Sequence, residues 1–495
     1  MSTGNATANV TERLAEWVAQ ARFEDLPRRV TEEAKNQLLS VIAAVHAGHF
    51  SEAGRVVSRT VKEWGSGKEA TMIPSGERTS LHNAIFANAA LSMALDYDDY
   101  LFNGHTGHSA VVVTLALAEK IGFSGKEFLL AQTLANEIEG RVGASVLIGP
   151  LDGQLGAFIH LIGGALITAK LMDLDKQQIQ SALGIAMLQP PRPMQPGLFG
   201  SDAKTLLAAM TAPIGVQAAE LAANGLRGCG EILDGPQGFV ETFAHQPLMG
   251  AYDGLGKVWL TDTMCYKIYP GCAYIDTTID CVLGMARQHS IDGKKVKAVH
   301  VAAGPLTLGM EALSTAYLKG PDSLPVTLNF TVGYNVAAAI MDRELTARQF
   351  SRDRIKDAAT WELANRVELT LDEGMAQRMR DRSLVKSVKD DSGEHFELDL
   401  GNADLSSFKT SFGARVRIEM EDGRTFETEQ EIPIGGAGRP FDERRRSVED
   451  KFRRETRYTL RKEKMERAID MILHLEQASS AHLRELVRLC CSERG

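Results

Sequence analysis

Apolar residues recur at helical spacing from Val10 to Ala21, after a polar stretch, residues 1–10, that reads as a frayed tail. Pro27 opens a second helical run, Arg28 to Ala47, ending at Gly48. Ser51 to Trp64 predicts a third, stopped by Gly65-Ser-Gly-Lys, and Thr71-Met-Ile-Pro-Ser-Gly reads as a short strand or extended turn. From Leu81 to Ala223 the chain is rich in Ala and Leu with few β-branched runs. It breaks at Gly122, at the Gly149-Pro150 and Asp152-Gly153 turns, at Asp173 and at Pro190. That pattern predicts a helical-bundle core, in which Gly163, Gly164 and Ala165 let helices approach closely. Residues 189–200 carry four prolines and predict a loop without helix, ending before a new helix that starts at Asp202-Ala-Lys-Thr.

Past residue 268 the period changes. Lys294 to Ala302 and Arg366-Val-Glu-Leu-Thr-Leu alternate like strands. Ala414-Arg-Val-Arg-Ile-Glu-Met and Arg424-Thr-Phe-Glu-Thr-Glu flank Asp422-Gly423, a hairpin signal because Asp-Gly supplies the turn that strand twist prefers. The tail from Ser447 to Cys491 is helical again. The expected fold is therefore mainly α. A large all-helical domain is made of residues 1–268 and 435–495, and so is discontinuous in sequence; a smaller α+β domain, 269–434, is inserted between. The run Arg444-Arg-Arg, Lys451, Arg453-Arg454, Arg461-Lys462 and Lys464 is interleaved with Glu and Asp, and reads as a solvated helix face with ion pairs.

The 495 residues suffice for two or three domains. Net charge is 55 − 64 = −9, which argues against nucleic-acid binding through the overall field. Six cysteines form no zinc spacing, and with no signal peptide a reduced cytoplasmic setting is expected. No apolar run is read as approaching the ~18 residues that span a membrane; the longest candidate, Gly156 to Ala169, is interrupted by His160.

The chemistry concentrates in residues 94–110, where Asp96, Asp98, Asp99, His105 and His108 fall between two apolar helices. Loops held by rigid neighbours are where chemistry tends to sit. A carboxylate and an imidazole in one apolar-walled site can have their pKa values pushed apart, as acid/base catalysis requires. Two plainer readings stand beside this one: Asp98-Asp99 as a helix cap with His105 solvated, and His105 with His108 as zinc ligands.

At Asp96-Tyr-Asp-Asp99 followed by Thr106-Gly-His-Ser109, the chain resembles the MmgE/PrpD family. The resemblance continues in order through Ala182-Leu-Gly-Ile-Ala186, Lys204, Tyr266-Lys-Ile-Tyr-Pro-Gly-Cys272, and Phe330-Thr-Val-Gly-Tyr334 with Ala337-Ala-Ala. It implies an α-helical domain built from both ends of the chain, an inserted α+β lid, a cleft between them, and a homodimer. No metal or organic cofactor is implied. Small di- and tricarboxylates are the implied substrates, with a proton moved next to a carboxylate.

On that resemblance His108 is the general acid/base, and Asp96 holds or tunes its imidazole or takes part in the catalysis directly. Lys204 and Lys267 bind substrate carboxylates, with His105 beside them, and Tyr334 donates a proton or binds substrate. Tyr269 and Cys272 are expected to pack around Pro270. Departures from the family pattern are Tyr100 where a Thr is usual, Asp276 where a His is usual, Ser40 where an Asp is usual, and Gly438-Arg-Pro-Phe in place of an Asn-Pro turn. Tyr100 reshapes the pocket. Asp276 cannot act as a cation, but can act as an acid if burial raises its pKa. The expected function is a cofactor-independent lyase, a dehydratase or decarboxylase, on a divergent small polycarboxylate. An epimerase on the same scaffold and a non-catalytic carboxylate-binding homologue are the alternatives.

Overall fold

The computed structural model describes residues 9–65, 67–102, 104–150, 156–390 and 393–492. Most of the expected tail, residues 1–10, and the Asp152-Gly153 turn lie outside them. The protein is mainly α-helical; among the described residues there are one four-stranded sheet and three two-stranded ladders.

Helices Val10–Gln20, Arg28–His49 and Glu52–Trp64 form as their patterns predict. The first and third are capped by Asn9 and Ser51, whose side chains accept the orphan N–H groups of Glu12 and Gly54. Helices Leu81–Met93, Gly125–Ser145, Ile159–Leu171 and Leu207–Ala223, each buried along most of its length, make the buried centre. Ser124 and Glu127 close a reciprocal capping box on the second of these. Two residues of that helix fix the chain that leads into the site. Arg141 donates to the carbonyls of Ala251, Asp253 and Val258, and Glu137 accepts from Leu260 N and Thr261 N.

The proline-rich segment corrects the sequence reading. Gln195–Phe199 is a short helix with Pro196 in its first turn, where a missing N–H costs nothing and the fixed φ suits the helix. Residues 202–223 form a longer helical stretch than the 156–169 run, and are long and apolar enough to cross a membrane by length and composition alone. One face of this stretch packs on Ile159–Leu171, Lys176–Ala186 and Leu81–Met93.

In the second part of the chain, β5 (Val296–Ala303) lies parallel to β6 (Val367–Leu371) and antiparallel to β9 (Ala414–Met420), which pairs with β10 (Thr425–Gln430). The order is β10-β9-β5-β6. The expected hairpin is present, with Gly423 at φ 87° in its turn. Ala414, Val416, Ile418 and Met420 alternate inward, and β9 and β10 face helix Asp276–Gln288. The short strand expected at Thr71 is part of β1 (Ala70–Met72), whose pairing with β2 (Glu77–Thr79) was not legible; nor were β7–β8 (Val385–Asp390, Gly393–Leu398) and β3–β4, two residues each at Asp99–Tyr100 and Cys265–Tyr266.

The C-terminal helices Phe441–Thr456, Lys462–Leu473 and Ser480–Leu489 return to the first part, the first of them along Arg28–His49. Their basic run is only partly a solvated face. Arg453 pairs with Glu449 and Glu466 at the surface, but Arg444 and Lys451 are buried. Arg444 pairs with buried Glu33, a partner more than 400 residues away in the chain.

Candidate active site

Helix Leu81–Met93 ends where Asp96 takes φ 51°, a left-handed conformation that Asp tolerates better than most residues. The turn aims the Asp96 carboxylate at two buried lysines. Lys204 Nζ donates to Oδ1, and Lys267 Nζ donates to Oδ2 at 2.9 Å. Lys267 spends its other two protons on the Asp96 carbonyl, at 2.9 Å, and on Asp98 Oδ1, at 3.0 Å. Lys204 stands on the short 3-10 turn Asp202–Leu206, with Nζ 4.7 Å over the Phe330 ring.

Asp98 joins Lys267 to the imidazoles. Its Oδ2 lies 2.8 Å from His105 Nδ1 and 3.0 Å from His108 Nε2. The second contact is close enough for an ion pair but is not aligned as a hydrogen bond. On its other side, His108 Nδ1 lies 2.7 Å from Ser92 Oγ, which donates to Ala89 O at 2.8 Å. With the Ser92 proton so used, Nδ1 carries hydrogen toward Ser92, and Nε2 is the atom free to gain or lose a proton. Asp96 was expected to hold this imidazole. Asp98 holds it instead, because the turn at Asp96 points that carboxylate to the lysines.

Three devices fix the two chain segments. The β3–β4 ladder pairs Asp99 with Tyr266 and Tyr100 with Cys265. Lys267 N donates to Asp98 O at 3.1 Å. Fully buried Lys451 reaches in from the C-terminal helix and donates to Ser40 Oγ (2.9 Å), Tyr97 O (2.5 Å) and Lys267 O (2.9 Å). Asp99 accepts from Gln37 Nε2 at 2.7 Å. Gly107 is required beside it, since a Cβ there would sit 2.2 Å from Asp99 Oδ1.

The electrostatics follow from burial and these partners. Burial pushes Asp96 up, but the Lys204 and Lys267 ammoniums outweigh it and hold it well below the usual carboxylate range. Asp98 is likewise held low, by Lys267 and both imidazoles. The two carboxylates in turn raise Lys267 against its burial. Asp99 goes the other way: burial and the Asp98 charge push it up to about 7. Burial pushes Lys451 down to about 7, although Asp98 and Asp99 pull it back up. Two ionised carboxylates thus face two ammoniums, with a third carboxyl, Asp99, and a third lysine, Lys451, poised near neutrality.

Asp276 is the first residue of helix Asp276–Gln288, buried, with Oδ1 lacking a partner among the described residues. Burial and the Asp280 charge push its carboxyl well up, which makes it a neutral acid and a hydrogen-bond donor. Tyr100 packs with Cys265, Ala273, Phe408 and Phe412, its ring 6.3 Å from that of His105. His105 is the exposed imidazole, with 42% of its side chain accessible, whereas His108 is fully buried.

Tyr334 is not brought to this cluster. Its hydroxyl donates to Gln349 O and its ring packs on Phe350 and Trp361. Tyr269 donates to Asp280 at 2.8 Å and is buried in the main core, while Cys272 packs with Leu198, Phe199 and Phe330. Sequence reasoning missed Asp98 as the bridge, Ser92, Lys451 and His160; the last was noted only as a break in an apolar run, which is itself the signal. His160 stands edge-on to His108, ring centroids 5.8 Å apart. Among the described residues no three His, Cys, Asp or Glu side chains are grouped to hold a metal ion.

Comparison with known proteins adds the following. Residues 12–250 match the MmgE/PrpD N-terminal domain and residues 269–404 the MmgE/PrpD C-terminal domain. The chain is 24% identical to cis-aconitate decarboxylase of Aspergillus terreus over 464 residues, covering 87% of this chain and 86% of that one. It is 24% identical to a cis-aconitate decarboxylase-like protein of Aspergillus oryzae over 509 residues, 98% of each chain. It is 22% identical to cis-aconitate decarboxylase of Homo sapiens over 493 residues, 94% and 92% of the two chains.

Proposed function

Because the chain belongs to the MmgE/PrpD family, we propose that it is a lyase acting on a small di- or tricarboxylic acid by proton transfer next to a carboxylate, without a cofactor. The match to that family and the likeness to cis-aconitate decarboxylases indicate a lyase-type enzyme. The observation that carries the chemical reading is the convergence of Lys204 and Lys267 on Asp96, with Asp98 linking Lys267 to His105 and His108.

A substrate carboxylate displaces part of Asp96's hold on the two ammoniums. When a bond next to that carboxylate breaks, the electron pair left on carbon spreads into it as an enediolate, which Lys204 and Lys267 stabilise. His108 Nε2 moves the proton at that carbon, and Asp98 fixes the ring and stabilises its protonated form. His105 stands at the solvent side and meets the substrate first. Asp276, as a neutral acid, donates to an oxygen of the substrate, and Tyr100 sets the width of the pocket. Tyr334 has no role in this reading.

The test is an NMR turnover assay of the purified protein with cis-aconitate and a panel of small di- and tricarboxylic acids, in H₂O and D₂O, with and without EDTA. The expected result is one acid consumed with EDTA present, giving an unsaturated or lighter acid. Label washed into recovered substrate with no new product would replace the lyase with an epimerase. Binding without turnover would leave a carboxylate-binding homologue. Loss of turnover with EDTA would overturn cofactor independence.

A further inference from the structure

Behind His108, three helices bring together polar groups that the reading above leaves unused. Glu139 comes from Gly125–Ser145, Ser109 from Gly107–Ala110 and His160 from Ile159–Leu171. All three side chains are buried. Ser109 Oγ lies 2.9 Å from both Glu139 oxygens and 2.8 Å from His160 Nδ1, with Thr106 O at 3.1 Å. Among the described residues no lysine or arginine pairs with Glu139. The His160 ring lies 3.6 Å from Oε2, and the Asp99 charge repels the carboxylate form. Burial pushes the Glu139 carboxyl well up despite the Ser109 bond, and pushes His160 well down, its neighbour His108 adding to the effect.

The space for this carboxyl is built in. A Cβ on Gly163, one turn beyond His160, would fall 1.9 Å from Glu139 Oε1 and 2.9 Å from Ser109 Oγ. Gly163 was expected only to let helices approach; the room it leaves is filled by an acid.

We propose that Glu139, Ser109 and His160 form a buried relay in which the Glu139 carboxyl holds a proton in reserve and delivers it, through the Ser109 hydroxyl and the His160 ring, to the His108 side of the site. A serine hydroxyl has one proton to give and two lone pairs to receive, so it passes a proton on as it takes one. The Glu139 O–H breaks as a new O–H forms on Ser109. The original Ser109 proton goes to His160 Nδ1, and the Nε2 proton leaves for the acceptor in the site. One proton enters the site and one carboxylate remains at Glu139. Ser109 is unchanged and His160 is left as its Nδ1–H tautomer. The same three bonds run in reverse when His160 Nε2 takes a proton back from a group in the site, which restores the Glu139 O–H. The direction of supply rests on the lyase reading, in which a carbon needs a proton; the bonding pattern does not.

Two measurements separate these. The first uses long-range ¹H–¹⁵N spectra of histidine-labelled protein without substrate. His160 is expected as the Nε2–H tautomer near neutral pH, in the wild type and in Glu139→Gln alike. An Nδ1–H tautomer in the wild type would mean a ring nitrogen that cannot accept the Ser109 proton, and would sink the relay whether or not the protein is a lyase. The second is kinetics with cis-aconitate as probe, or with the acid the turnover panel identifies. Glu139→Gln and Ser109→Ala are each expected to lower kcat about 10- to 100-fold with KM unchanged, and the double variant to lose no more than the worse single one. Glu139→Asp is expected to recover part of the loss. Wild-type kcat in both single variants would overturn the relay, as would losses that simply follow melting temperature. If no acid turns over, the lyase reading fails and the tautomer result still decides the relay's ground state.

Discussion

Asp98 carries two imidazoles on one oxygen and a lysine on the other, so its removal undoes both halves of the site. Asp98→Asn leaves Lys267 and two imidazoles short of a buried charge. The expected outcome is a loss of about 3 kcal/mol of stability by denaturant titration and about 100-fold in kcat. Asp99 behaves oppositely. Its folded pKa, about 7, lies above its ordinary 3.8, so its contribution to stability is full below about 3.8 and is lost as pH rises through about 7. Asp99→Asn stays neutral throughout. The melting temperature of Asp99→Asn should therefore gain on wild type between about pH 4 and 7 and hold level above that; a gap independent of pH would refute the shift. At this scale His108, Lys204 and Lys267 were legible, because cation, imidazole and motif order are written in the letters. The exchange of roles between Asp96 and Asp98 was not. It depends on one left-handed φ, which composition does not encode.

Helix Phe441–Thr456 shows the same limit one level up. Arg444, Val448, Lys451, Phe452 and Glu455 share its buried face. Three of those five are charged, so the pattern looked like a solvated helix, and the groups that satisfy it come from distant segments. The carbonyls of Tyr97 and Lys267 depend on Lys451. Lys451→Met keeps the volume of the side chain but leaves these acceptors buried and unpaired. It should cost about 3 kcal/mol by denaturant titration and lower kcat/KM, with Lys451→Arg restoring little of either. Wild-type kinetics in a stably folded Lys451→Met would show that the helix supports the fold and not the site. The strands and the Asp-Gly hairpin were legible because alternation and turn chemistry are local. The parallel β5–β6 pairing was not, because its strands, ending at Ala303 and starting at Val367, are joined through the helices and turns of residues 304–366.

Over the whole molecule, helix Leu207–Ala223 packs one face inward and leaves Met210, Ile214, Gln217 and Leu221 exposed. Their 4-3-4 spacing is that of a helix seam, three of the four residues being apolar. The homodimer implied by the family resemblance would cover this stripe. Sedimentation should give a dimer, and Ile214→Glu should shift it toward monomer; a monomeric wild type would remove the proposal. Helix content and the change of character after residue 268 were legible at this scale, since both are sums over many residues. The stripe was not, because exposure depends on which face the neighbours cover.

Lys451 also sets a clock. It is 184 residues further along the chain than Lys267, whose carbonyl it holds. At roughly 5–20 residues per second, a ribosome takes roughly 10–40 s to bridge that distance. In that interval Asp96, Lys204 and Lys267 have all been made, but the clamp between the two loops has not. A nascent chain therefore carries the reactive groups without the frame that aligns them, and the centre becomes competent only late in synthesis.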